Sequence, residues 1–205
     1  MKRIILSISA FLLAFSAFAF EGEISIHYKG DAEKKEDYKI TWHIANGKSR
    51  ADFFMAATNS TTVILPQGGS KVQLYVVGAN QFFNTAVTNI PTVEEYKANE
   101  TTETKTIAGN ICTKYIFKSF TGKTVESWVA KGVDVDWNSV PETIRMLPEI
   151  RIMAKYEIKG TPLETTIVDG GNIASQSNVI SVKQGSQSAE TFAVPVGFTD
   201  AAQAK

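Results

Sequence analysis

Few side chains in this sequence could carry chemistry. His27 and His43 are the only histidines and Cys112 the only cysteine among 205 residues. A metal site would need at least one further well-placed ligand. Glu23, Glu36 and Asp52 are the carboxylates that could join the imidazoles, although no spacing rule requires it. Both histidines fall on polar positions of alternating segments, where solvated imidazoles are the simpler account. Cys112 has Lys105 and Lys114 as its sequence neighbours and no local histidine. A buried structural thiol is the first reading, with an intermolecular disulfide or a reactive nucleophile as alternatives. Asp134 and Asp136, in Val133-Asp134-Val135-Asp136-Trp137, could share a site with Glu142 as a glycosidase-like carboxylate pair. The plainer reading places them at a strand end and a helix entry. No Gly-x-Ser-x-Gly, His-Glu-x-x-His or Cys–His pairing occurs. Gly68-Gly69-Ser70 precedes a strand rather than a helix, which makes a poor phosphate cradle. The chain therefore reads as non-catalytic, with no cofactor and no metal.

The elements that must position these residues are mostly strands. Ile24 and Ile26 alternate with Glu23, Ser25 and His27, and Tyr38, Ile40, Trp42 and Ile44 alternate again, the period-two signature of half-buried strands. Asn46-Gly47 is the strongest hairpin signal in the chain, and 48–55 returns from it. Segments 61–65, 71–77 and 82–86 continue an antiparallel meander. The stretch 103–129 holds three strands and two tight turns. Gly109-Asn110 suits a primed turn, and Phe120-Thr121-Gly122-Lys123 supplies the second. Residues 88–102 are polar and read as a surface loop with one helical turn over 93–98. Ser139 with Glu142 three residues on has capping-box spacing, and Pro141 fits a first helical turn. The predicted helix runs over 139–147, with Val140, Ile144 and Leu147 on one face and Met146 beside them, and stops at Pro148. Residues 149–158 alternate as a strand, with a short helix before Lys155 as the alternative. Leu163–Val168 and Asn178–Lys183 form a hairpin around Asp169-Gly170-Gly171-Asn172.

A resemblance is carried by Glu103-Thr-Lys-Thr-Ile-Ala-Gly-Asn-Ile-Cys-Thr-Lys-Tyr115, by Gly122-Lys-Thr-Val-Glu-Ser-Trp-Val129, and by the ending Phe192-Ala-Val-Pro-Val-Gly-Phe198. These resemble an exported bacterial family, the domain of unknown function 4412, over roughly residues 20–199. That family is similar in architecture to the LolA/LolB-like periplasmic lipoprotein carriers. The resemblance implies an α+β, mostly β fold: a curved antiparallel sheet, or half-open barrel, with one or two short helices covering its concave face. It also implies that the 139–147 helix lies across the mouth.

The ends and the composition bound the function. Lys2 and Arg3, an apolar run over 4–18, and Ala17-Phe18-Ala19 read as a signal peptide, residues 1–19, cut after Ala19. Residues 20–199 then form a single LolA-like β domain, and 200–205 a flexible tail. No later segment is apolar enough to span a membrane. The whole sequence carries 21 basic and 21 acidic residues; losing Lys2 and Arg3 leaves it slightly acidic, which excludes electrostatic capture of nucleic acid. The expectation is an exported, periplasmic or secreted, non-catalytic binding protein that holds a lipid, a lipoprotein acyl chain or another apolar ligand in the concave face. The candidate lining is Trp42, Phe53, Phe82, Phe83, Tyr115, Phe117, Trp128, Ile144, Met146 and Leu147, since aromatic and Met side chains on a concave surface suit apolar ligands. Each equally suits an ordinary core. The alternative is an envelope protein–protein interaction module that uses strand edges or the 88–102 loop and no small ligand.

Overall fold

A computed structural model describes residues 20–30, 37–45, 47–88, 92–145 and 147–202. The predicted leader, residues 1–19, lies outside the described residues. Twelve strands occur among them: β1 (Gly22–Lys29), β2 (Asp37–Ala45), β3 (Lys48–Met55), β4 (Ser60–Gly68), β5 (Lys71–Val76), β6 (Gln81–Ala86), β7 (Tyr96–Ile107), β8 (Asn110–Ser119), β9 (Thr124–Ala130), β10 (Thr161–Asp169), β11 (Asn172–Gln184) and β12 (Thr199–Asp200). They form one sheet in the order β12-β6-β5-β4-β3-β2-β1-β11-β10-β9-β8-β7. The sheet is curved and unclosed, the mostly β architecture expected from the sequence. Only β12 runs parallel to its neighbour, β6.

Alternation along each strand decides which side chains meet. Direct cross-strand partners share a face, so Ile24, Trp42, Ala51, Ile64, Leu74 and Phe83 form one row across β1 to β6. This is the inner, concave face. Its buried residues include Ile24, Ile26, Ile40, Trp42, Phe117, Val125, Val129 and Leu163. A second buried cluster of Val63, Leu65 and Tyr75, flanked by Phe82 and Phe198, sits on the outer face.

The β7–β8 turn differs from its predicted position by one residue. Ala108 and Gly109 are the loop residues, both at positive φ (47° and 78°), as a type I′ turn requires. Asn110 already pairs with Ile107, and its side-chain amide donates to the Ala108 carbonyl at 2.9 Å. Of the 88–102 segment, residues 92–95 have no regular structure and 89–91 lie outside the described residues. From Tyr96 it is edge strand β7, mostly exposed. An edge strand with two solvated faces has the polar composition of a loop, which is why the sequence signal misleads there.

The helix is also elsewhere than predicted. Helix α1 spans Pro148–Lys155, with the proline in its first turn and Leu147 before it. Residues 139–145 form turns instead: Ile144 N–H donates to Pro141 O, and Arg145 N–H to Glu142 O. The Ser139 hydroxyl donates back to Asp136 O at 2.8 Å rather than capping a helix. Pro148 lacks an N–H, so it can open a helix as readily as follow one. Residues 149–158 alternate like a strand, but Ile150, Met153 and Ala154 are equally spaced for a helix. Glu149, Ile150, Ile152, Met153 and Ala154 are all buried, while Pro148 and Lys155 are exposed and Arg151 is intermediate, a helical face; over eight residues the alternation of Ile150, Ile152 and Ala154 mimics a strand, and a short apolar run does not separate the two periods.

The end of the chain is a strap on the outer face. Gly185 N–H donates to Glu21 O, after which Gln187 reaches His43, and Arg50 reaches the Thr191 carbonyl. Phe198 then packs edge-on against Tyr75, ring centroids 5.5 Å apart, and Thr199 enters the sheet beside Gln81. The tail expected over 200–205 thus begins at a bonded residue. Ala201 N–H donates to Phe82 O, and residues 203–205 lie outside the described residues.

Candidate functional site

The concave face has a filled half and an open half. The filled half lies under residues 133–155. Ile144, Leu147, Ile150 and Met153 are buried there against Trp42, Tyr115 and Phe117. The indole N–H of Trp42 donates to the Ile144 carbonyl at 2.9 Å, and that of Trp137 to Gly160 O at 3.1 Å. Gly160 is a position where only glycine serves: its φ is 104°, and a Cβ would stand 2.6 Å from Ala130 O. One carboxyl enters this apolar region. Glu149 of α1 is buried and accepts a hydrogen bond from the Ser177 hydroxyl of β11. Burial holds its pKa above the usual 4.5, against the smaller opposing effect of the Ser177 bond, because desolvation disfavours the charged form.

The open half lies toward β6. Register places Tyr38, Phe53, Met55, Leu74, Val76 and Phe83 on the same inner face. Tyr28 stacks on Tyr38 with ring centroids 4.5 Å apart, and Tyr38 meets Phe53 at 4.5 Å. Exposure grows along this strip, reaching 42% at Met55 and 44% at Phe83. The strip is thus a set of large apolar side chains that share one face of the sheet and stay partly solvated.

The predicted lining residues therefore separate. Trp42, Tyr115, Phe117, Ile144 and Leu147 belong to the filled half, and Phe53 and Phe83 to the open strip. Phe82 and Trp128 point to the outer face. Phe82 packs on Tyr75 at 5.6 Å, and Trp128 lies beneath Lys105 Nζ, 4.3 Å from its ring centroid. Met146 lies outside the described residues. Tyr38, Met55, Leu74 and Val76 were missed by sequence reasoning. The signal for the first two is the hairpin of β2 and β3: once Ala45 faces Lys48, Tyr38 must face Met55.

The polar candidates are dispersed. His27 contacts Asp37 at 2.5 Å, while His43 lies 3.5 Å from Asp52 and bonds Gln187 at 3.3 Å. Arg50 holds Asp52 through both carboxylate oxygens, at 2.6 and 2.8 Å. Burial works to raise the Asp52 pKa, but hydrogen bonds from His43 and Arg50 outweigh it and hold the carboxyl below its ordinary 3.8. Cys112 is a free thiol, fully buried, donating to Asn110 O at 3.5 Å, and burial pushes its pKa up. Asp136 caps a turn by accepting the Asn138 N–H at 3.1 Å. Asp134 and Asp136 line one cleft of about 370 Å³, whereas Glu142 lines another. Among the described residues, no three His, Cys, Asp or Glu side chains converge as a metal site would require. No described helix is long and apolar enough to cross a membrane.

Comparison with known proteins supports the same architecture. A search of curated proteins finds no match. An uncharacterised conserved protein from Thermus thermophilus is similar in structure, with a TM-score of 0.52 and 12% identity over 88% of this chain and 90% of that one. The Pseudomonas aeruginosa MucA/MucB complex contains a chain similar at TM-score 0.51 and 8% identity, over 85% of this chain and 56% of that one. At such identities both likenesses concern the fold alone. The sequence itself matches over residues 20–198 the family described as Domain of unknown function (DUF4412), and the chain belongs to that family.

Proposed function

We propose that this chain is an exported, non-catalytic binding protein that holds an acyl chain or another apolar ligand on the open half of its concave face. The observation that carries the reading is the inner-face strip in which Tyr38, Phe53 and Leu74 are partly buried and Met55 and Phe83 are 42% and 44% exposed. An apolar chain laid there would remove this surface from water, worth roughly 25 cal/mol per Å² buried. Residues 133–155 form one wall of the trough and not a lid over the whole of it. Export is supported by the family match, which starts at the residue after the predicted cut. Phe20, the residue after the predicted cut, is buried, and in the uncut chain its backbone N–H donates to Asp134 O at 3.2 Å.

The test is lipid analysis of gently purified protein, followed by titration with a fluorescent fatty acid. Co-purified lipid and saturable binding are expected. Phe83→Asp, which alters a half-exposed side chain, should weaken binding about tenfold or more, since it places a charge in an apolar site. Ile111→Asp, at a side chain 75% exposed in β8, should leave binding unchanged. Absence of lipid together with no fatty-acid binding would sink the proposal. N-terminal sequencing of protein recovered from the cell envelope should begin at Phe20.

A second reading is favoured by edge strand β7, which among the described residues pairs on one side only, with β8, through nine of its twelve residues. An envelope protein could add a strand there. Pull-down from envelope extracts with wild type and Thr106→Pro would separate this reading from the first, because a proline in an edge strand blocks pairing without touching the apolar strip.

A further inference from the structure

Arg145 and Arg151 line one cleft and, among the described residues, have little counter-charge there. The cleft has a volume of about 370 Å³, and Asn138, Glu142, Arg145, Arg151 and Lys155 line it together with Thr92 and Val93. The Nε atoms of Arg145 and Arg151 are both buried, and neither has a hydrogen-bond partner among the described residues. The Arg151 side chain is only 11% exposed; its one acidic neighbour, Glu142, stands 3.9 Å away and is itself 52% exposed. Arg145 forms no ion pair with a described residue. Lys155 is already engaged by Glu95 at 2.7 Å and by the Val93 carbonyl at 3.0 Å. Among the described residues the two guanidiniums therefore have Glu142 as their ion-pair neighbour, with Asp136 acting on Arg145 from beyond ion-pair distance.

That arrangement is costly if nothing binds. A guanidinium cannot relieve burial by losing its proton at physiological pH, and a buried cation without a partner is destabilising. Burial lowers the pKa of Arg145, and the charge of Arg151 adds to that effect, with Glu142 and Asp136 opposing. Guanidinium N–H groups fixed on a turn and on a helix match the oxygens of a tetrahedral anion. A dianion balances both charges, whereas a monocarboxylate leaves one uncompensated.

We infer that the cleft between α1 and the 138–145 turn is a phosphate-binding site, with Arg145 and Arg151 as its ligands and Asn138 as a neutral donor. The phosphate is either free or the headgroup of an anionic lipid. The site shares no residue with the apolar strip and stands without it.

Titration calorimetry at low ionic strength tests this, with three probes: inorganic phosphate, water-soluble dihexanoyl phosphatidic acid, and dihexanoyl phosphatidylcholine. Binding of phosphate and of phosphatidic acid, each lost about tenfold or more in both Arg145→Gln and Arg151→Gln, is the expected result. Phosphatidic acid binding much tighter than phosphate identifies a lipid headgroup as the source; equal affinities identify the free anion. Lys183→Gln, at an exposed lysine of β11, should change nothing. Thermal melts with and without phosphate give a second readout: phosphate should raise the wild-type Tm and not that of Arg145→Gln. If Arg151→Gln fails to fold, Arg145→Gln, on the less regular turn, carries the test. No binding of either phosphate probe, or binding unchanged in the folded variants, overturns the assignment. Phe83→Asp should retain phosphate binding, so failure of the apolar site and failure of this one are told apart.

Discussion

The Trp42 indole N–H and the Ile144 carbonyl are hydrogen-bonded at 2.9 Å across 102 residues of chain. The bond joins β2 to the covering segment inside the filled half of the concave face. Both residues are fully buried, so water cannot replace either partner. Trp42→Phe should lower stability by about 2–4 kcal/mol, combining an unsatisfied buried carbonyl with the space left by the smaller ring. Urea unfolding followed by circular dichroism measures it. A loss below about 1 kcal/mol would mean that the covering segment is held without this bond.

Glu149 gives the fold an inverse pH dependence. Its folded pKa is raised above the ordinary 4.5 by burial. The unfolded chain therefore holds fewer protons at this site than the folded one between those two values, and stability falls as pH rises through that window. The contribution is complete below pH 4.5 and is lost toward the raised folded value. Glu149→Gln keeps a partner for Ser177 and removes the ionisation. It should match wild type near pH 4 and exceed it at pH 8, the gap widening with pH. Equal urea midpoints for both proteins at all pH values would contradict this.

The outer strap is held by a part-buried charge cluster. Arg50 donates to the Thr191 carbonyl at 3.0 Å while gripping Asp52 with Nε and Nη2. Arg50→Ala should cost about 1–2 kcal/mol and should expose the 186–198 segment to limited proteolysis before the rest of the sheet is cut. Asp52 adds an acid-side dependence of opposite sign to that of Glu149: with its folded pKa held below 3.8, its contribution is present above that pH and is lost as pH falls through the folded value. Mass spectrometry of the early fragments checks the site of cleavage.

Cys112 should behave as core rather than as a nucleophile. It is fully buried, and burial disfavours its thiolate. Modification by a thiol reagent should be about tenfold or more slower in the native protein than in denaturant. Equal rates would show that the β8 strand opens readily.

Alternation alone made the sheet legible. Ile40, Trp42 and Ile44 announce β2, and Ile24 with Ile26 announce β1, because a period of two has one structural meaning when one face is polar. The hairpin between Ala45 and Lys48 follows from the same local chemistry. The family motifs around Gly109 and Gly122 then implied a curved antiparallel sheet. Where both faces are alike, the signal fails. Edge strand β7 reads as a loop because solvent lies on both sides of it, and α1 reads as a strand because Ile150, Ile152 and Ala154 alternate over a helix only eight residues long.

The sequence by itself therefore determined the mostly β fold and the core pattern of most strands, since those depend on neighbours two to four residues apart. Only the tertiary structure decided that Phe83 is open while Trp42 is sealed, that Phe82 and Trp128 face outward, and that Arg145 and Arg151 share a cleft. Those facts depend on which distant segment covers each face. Coverage is set by the chain's return path, here residues 133–155 inside the sheet and the 185–198 strap outside it, and no local spacing encodes that path.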